Sequence, residues 1–180
     1  MGGVLEIKYS EDLHQKAVEF TKKSLDSQGR LNNKSERSDG GGIYIGYVSE
    51  QIVSNKFGWK KDESLDWDLV TDNNQKMEIK CREVNQNKIP CSHYEAGVYA
   101  YYKQKCDHYC FTRVNKGVRK CWILGFASKD RFFEEARFIK AGTVDPSNNR
   151  KFGKDIYNIT LGQLSWPKGM DKFLLPFSKK

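Results

Sequence analysis

Two carboxylates and a lysine stand out by type and spacing. Asp68 lies in Trp67-Asp68-Leu69-Val70, and one residue separates Glu78 from Lys80 in Lys76-Met77-Glu78-Ile79-Lys80-Cys81-Arg82. Between them runs Thr71-Asp72-Asn73-Asn74-Gln75, rich in residues that hydrogen-bond their own backbone and tolerate unusual φ. The pattern predicts two strands joined by a polar turn. Side chains alternate faces along a strand, so Met77, Ile79 and Cys81 belong to a core, and Glu78, Lys80 and Arg82 to the opposite face. The hairpin then sets Asp68 across from Glu78 and Lys80. Two acids and a lysine on neighbouring strands can hold a divalent cation and a nucleophilic water. Asp66 shares a face with Asp68, so either could be the first ligand. Asp68 is preferred, because Trp67, Leu69 and Val70 flank it as in a buried strand, whereas Asp66 adjoins the polar break Asp62-Glu63-Ser64.

The surrounding chain must supply elements that position this hairpin. A helix is expected over 11–28, entered through Ser10-Glu11-Asp12, which offers capping and acids favoured at a helix N-terminus. A loop with Arg30, Lys34, Arg37 and Gly40-Gly41-Gly42 follows. A second helix should run from about Ile43 to Phe57 and stop at Gly58, a good C-cap residue. Ile45, Val48, Ile52 and Phe57 give it an inward stripe, Glu50 lies near the edge, and Gly46 one turn earlier would let the sheet approach. Phe57 to Lys61 can start a strand. Glu83 to Tyr94 reads as irregular, broken by Pro90, and Glu95 to Lys105 as a third helix with Lys103 and Gln104 at a solvated end.

Asp107 to Val114 and Val118 to Phe126 have strand composition and flank the turn Asn115-Lys116-Gly117, giving two further core strands. Arg113, Lys116, Arg119 and Lys120 are expected to cluster at the tip of this hairpin. With Arg82 they are the candidates for gripping phosphates, although exposed basic hairpin tips are also ordinary. Ser128 should cap a short helix over Lys129 to Ala136. Phe138 to Val144 reads as a strand, with Asp155 to Leu161 pairing back against it. The apolar residues Phe173, Leu174, Leu175 and Phe177 are expected to dock the tail on the body.

The ordered set resembles the PD-(D/E)xK nuclease superfamily, which has the restriction-endonuclease-like fold. That family carries an Asp at the end of one strand, a polar turn, then Glu or Asp, any residue and Lys on the next. Here these are Asp68 and Glu78-Ile79-Lys80, and Glu50 comes in the right order for the Glu that many members carry on a preceding helix. The likeness spans roughly residues 43 to 126, with Trp67 standing where the family's proline would precede the Asp. It implies an α/β fold, a central mixed β-sheet of at least four strands flanked by helices. It also implies one domain over 1–180, with a core near 43–126 and variable additions at 11–28 and 127–180. Mg²⁺, or Mn²⁺ in its place, would be held by Asp68, Glu78 and the carbonyl of Ile79. Glu50 would hold a second ion or a water. Lys80 would orient or help deprotonate the attacking water and stabilise the scissile phosphate. The implied activity is endonucleolytic hydrolysis of nucleic acid, DNA ahead of RNA. A homodimer would suit cutting of both strands.

Composition is compatible with that reading. The 180 residues carry a net charge of +8 with pI near 9.2, which suits a polyanionic partner. No run of about 18 apolar residues predicts a membrane span. Met1 to Glu6 lacks a signal-peptide apolar core, and Glu6 stands where the myristoylation pattern wants Ser or Thr. Five cysteines, an odd number, point to a reducing, cytoplasmic setting. A zinc reading of Cys81, Cys91, His93, Cys106, His108, Cys110 and Cys121 has poor spacings and no CxxC pair. The glycine run lacks the Lys-Ser/Thr of a phosphate-cradling loop. Two rivals from other classes remain: a nuclease-like module that binds without cutting, and a structural domain in which Glu78 and Lys80 are merely neighbouring charges.

Overall fold

Two long apolar strands, β6 (His108–Asn115) and β7 (Lys120–Ser128), are buried along almost their whole length, so the sheet they centre is covered on both faces. The computed structural model of the chain describes residues 3–29, 40–62, 66–100, 104–145, 149, 151–168, 170 and 173–178, with 28 and 29 by backbone alone. β6 and β7 form an antiparallel pair, and β4 (Lys76–Glu83) joins β6 in parallel, with Glu78 opposite Tyr109, Lys80 opposite Phe111 and Arg82 opposite Arg113. β3 (Leu69–Val70) and β2 (Lys60–Lys61) extend that side. β1 (Gly3–Lys8) and β10 (Leu175–Pro176) extend the other, all antiparallel to their neighbours. The order β10-β1-β7-β6-β4-β3-β2 makes a seven-stranded mixed sheet.

On one face lies α2 (Gly41–Phe57), whose Ile45, Val48, Ile52 and Val53 pack on Leu69, Met77, Ile79, Cys110, Cys121 and Ile123. Gly40 and Gly58 bracket this helix in the left-handed region, at φ 67° and 73°. A buried hydrogen bond from Thr112 to Ser49 (2.8 Å) ties α2 to β6. α1 (Glu11–Gly29) packs outside α2, with Phe20 stacked on Tyr47. On the opposite face, Tyr109, Phe111, Trp122 and Leu124 meet Phe132 of α3 (Lys129–Glu135) and a second sheet. That sheet is antiparallel, in the order β5 (Glu95–Tyr99), β9 (Ile156–Thr160), β8 (Arg137–Ile139). The chain is thus mixed α/β, with three α-helices among the described residues. None of these helices is long and apolar enough to cross a membrane.

The α2 helix, its Gly58 stop, the site hairpin, the Ser128 cap and the pairing of β8 with β9 match the sequence expectations, except that β8 stops at Ile139 where the strand was expected to reach Val144. The third helix does not. Residues 95–99 form β5, because Glu95 to Tyr99 pair along their length with β9 and only Val98 of the five is fully buried. A Cβ at Gly97 would meet Asn158 Oδ1 at 2.2 Å and Ile156 Cδ1 at 2.7 Å, so a larger residue there would make those side chains shift. The rest of that expected helix falls partly on 101–103, outside the described residues. The sheet also reaches beyond 43–126, recruiting β1 and β10. Gly46 does not admit the sheet, for a Cβ there would meet only Glu50, at 3.9 Å. In the tail, Leu174 and Phe177 pack on the body, whereas Phe173 and Leu175 are exposed.

Candidate active site

The turn between β3 and β4 closes through Thr71 N–H to Gln75 O (2.9 Å) and Asn74 N–H to Thr71 O (2.9 Å). Asn74 sits at φ 59°, a conformation Asn accepts more readily than most residues. Pairing then sets Leu69 opposite Met77, both in the core under α2. Asp68 precedes the strand proper, its N–H donating to Met77 O (3.0 Å). Its Oδ2 accepts from the Ile79 N–H at 2.6 Å, so the carboxylate lies against the backbone between Glu78 and Lys80. Burial pushes the Asp68 carboxyl up to about 7. Glu78 and Glu50 add to that rise by repulsion, and the Ile79 N–H and Lys80 oppose it.

Met77 and Ile79 face α2, which turns Glu78 and Lys80 to the other face of β4. There Glu78 Oε1 accepts from Lys80 Nζ at 2.7 Å and from Gln104 Nε2 at 2.5 Å. Gln104 was expected at a solvated helix end. It lies instead in the segment leading to β6, its carbonyl accepting from Lys129 Nζ (2.5 Å) and its neighbour Cys106 buried. Local sequence carries no signal for this contact. It depends on the parallel crossover that brings residues 26 positions apart together.

Asp68, not Asp66, meets the Glu78-Ile79-Lys80 stretch, since Asp66 pairs with Lys105 at 2.9 Å. Glu50 lies on α2, over the apolar face of β4, and its carboxylate accepts from Lys61 at 3.1 Å. Its charge still reaches Asp68. Among the described residues, no group of three or more His, Cys, Asp or Glu side chains is gathered to hold a metal ion. The five cysteines are free thiols. Burial raises Cys81 to about 12 and lifts Cys110 well above its ordinary value, which suits packing and not nucleophilic attack.

The basic cluster expected at the β6–β7 tip is not assembled. β6 continues to Asn115, so Arg113 lies inside the strand and is 8% exposed, its guanidinium over the Tyr94 ring. Lys116 sits over the Tyr44 ring at 4.7 Å, Arg119 pairs with Glu11, and Lys120 pairs with Glu6 at 2.9 Å. Each of these three cations thus has its own partner in a different element. Arg82 is exposed beside Arg113.

A scan of protein-family models gives no match to this chain, and no curated protein matches its sequence.

Proposed function

We propose that the chain is a metal-dependent nuclease with a restriction-endonuclease-like fold that hydrolyses phosphodiester bonds, DNA ahead of RNA. The observation that carries this reading is the Asp68 carboxylate, set at 2.6 Å on the Ile79 N–H in the middle of Glu78-Ile79-Lys80. Glu78 and Glu50 both raise the pKa of the half-buried Asp68, and such a gathering of acids concentrates negative charge where structure alone gains nothing from it. Hard carboxylate oxygens in that setting suit Mg²⁺ or Mn²⁺, held by Asp68 and Glu78 with the Ile79 carbonyl. When bound, the ion supplies positive charge to the phosphodiester and acidifies water. Lys80, 2.7 Å from Glu78, would donate to a phosphate oxygen and orient the attacking water. Glu50 adds negative charge from α2 and is the candidate for a second ion or a water.

The hold of Lys80 and Gln104 on Glu78 favours one further reading, a nucleic-acid-binding module that does not cut. The two are separated by incubating linear duplex, single strand, branched DNA and RNA with Mg²⁺, Mn²⁺ or EDTA. Metal-dependent cutting of any of them supports the nuclease. Salt-sensitive binding with no cutting supports the module.

A further inference from the structure

The parallel register of β4 and β6 sets Arg82 directly beside Arg113. Both project from the face that carries Glu78 and Lys80, because Cys110 and Val114 of β6 and Met77 and Ile79 of β4 all pack toward α2. Two guanidinium groups side by side repel each other, and among the described residues no carboxylate pairs with either. Arg113 has five N–H donors and, among the described residues, uses one, a long bond of 3.4 Å to the Glu95 carbonyl oxygen. Its Cζ lies over the Tyr94 ring, 5.0 Å from the ring centre. The Glu95 carboxylate is occupied elsewhere, accepting from Arg137 at 2.9 Å and from Asn158 at 2.8 Å. Burial, with Arg82 adding to it, pulls the Arg113 pKa down to about 10.

Buried charges are ordinarily paired, so an arginine 8% exposed beside a second arginine leaves a place for an anion. Its position says which kind. Successive same-face residues along a strand are about 6.6 Å apart, so Arg82 follows Lys80 by one such step and Glu78 by two. Guanidinium groups match phosphate oxygens in a two-pronged fashion. Tyr94 is 36% exposed with His93 at its edge, an aromatic surface on which a base can stack. We infer that Arg82 and Arg113 form a phosphate clamp for the substrate strand, holding a phosphodiester that flanks the one at Glu78 and Lys80. The clamp rests on the nuclease reading for the identity of its neighbouring phosphate. The arginine pair, with no carboxylate partner among the described residues, stands independently of that reading.

The test is binding of a labelled oligonucleotide in EDTA, where no metal-dependent cutting occurs. It compares the full chain with Arg82→Ala, Arg113→Lys and, as a control of equal charge loss, Lys16→Ala. The clamp predicts that Arg82→Ala weakens binding about tenfold and lowers the slope of log K against log salt by about one, while Lys16→Ala changes neither. Arg113→Lys, which keeps the charge and loses the fork, should weaken binding with its melting temperature near that of the parent chain. A single neutral methylphosphonate linkage should reproduce the Arg82→Ala loss at one position of the strand and add nothing in that variant. The clamp is overturned if Arg82→Ala binds like Lys16→Ala, or if the parent chain binds no strand. It is equally overturned if inorganic phosphate alone competes as well as the oligonucleotide, which would make this a free-anion site. Loss of binding in Arg82→Ala without any metal-dependent cutting keeps the clamp and removes the nuclease. Cutting that is indifferent to Arg82 does the reverse.

Discussion

At the scale of single residues, Asp68 binds a proton more tightly in the folded chain than in the unfolded one, since its pKa rises from 3.8 to about 7. The stabilising proton is fully held below about pH 4 and lost as pH climbs toward 7, so the folded state is weakened over that window. In EDTA, Asp68→Asn should therefore equal the parent chain in stability near pH 4. By pH 8 it should exceed it by on the order of 4 kcal/mol, read from urea unfolding at the two pH values. An equal difference at both would mean that the carboxyl is not desolvated. Metal uptake needs the ionised form, so Mg²⁺ should raise the melting temperature of the parent chain more at pH 8 than at pH 6 and leave Asp68→Asn unmoved. The three candidate residues were brought to notice by the sequence because a hairpin with one apolar face leaves few places for Asp68, Glu78 and Lys80. Gln104 was not, because its bond to Glu78 is made by topology and not by spacing.

At the scale of elements, the glycines that were readable were those that end helices. Gly58 follows an apolar stripe and takes φ 73°, as a C-cap should. Over residues 95–105 the local sequence did not separate a helix from a strand. Pairing with β9, about sixty residues later in the chain, decided the matter. Arg113 was misplaced for a related reason: the turn composition around Asn115 located the hairpin but not how far β6 runs into it. β7 carries a further constraint at Gly125, which has φ 134° where the pairing with β6 shifts register. An alanine Cβ there would come within 2.8 Å of Leu164 Cβ. Gly125→Ala should cost about 3 kcal/mol, seen as a lower urea midpoint with an unchanged slope.

At the scale of the whole molecule, the central sheet divides two cores, one under α2 and one under α3 and the smaller sheet. The site belongs to the second side, where Phe132 is fully buried against Tyr109 and Phe111. Phe132→Ala should destabilise the chain by about 3–5 kcal/mol, measured by the same unfolding experiment. The proposed nuclease activity requires Lys80 to act in chemistry and not merely to neutralise Glu78. The most direct measurement is the single-turnover cleavage rate of Lys80→Ala in Mg²⁺, with the Mg²⁺ affinity of the same protein determined by calorimetry. The expected rate is at least about 100-fold below that of the parent chain, with affinity changed only a few-fold. A variant that cuts as fast as its parent, or a parent that cuts nothing with either metal, would contradict it.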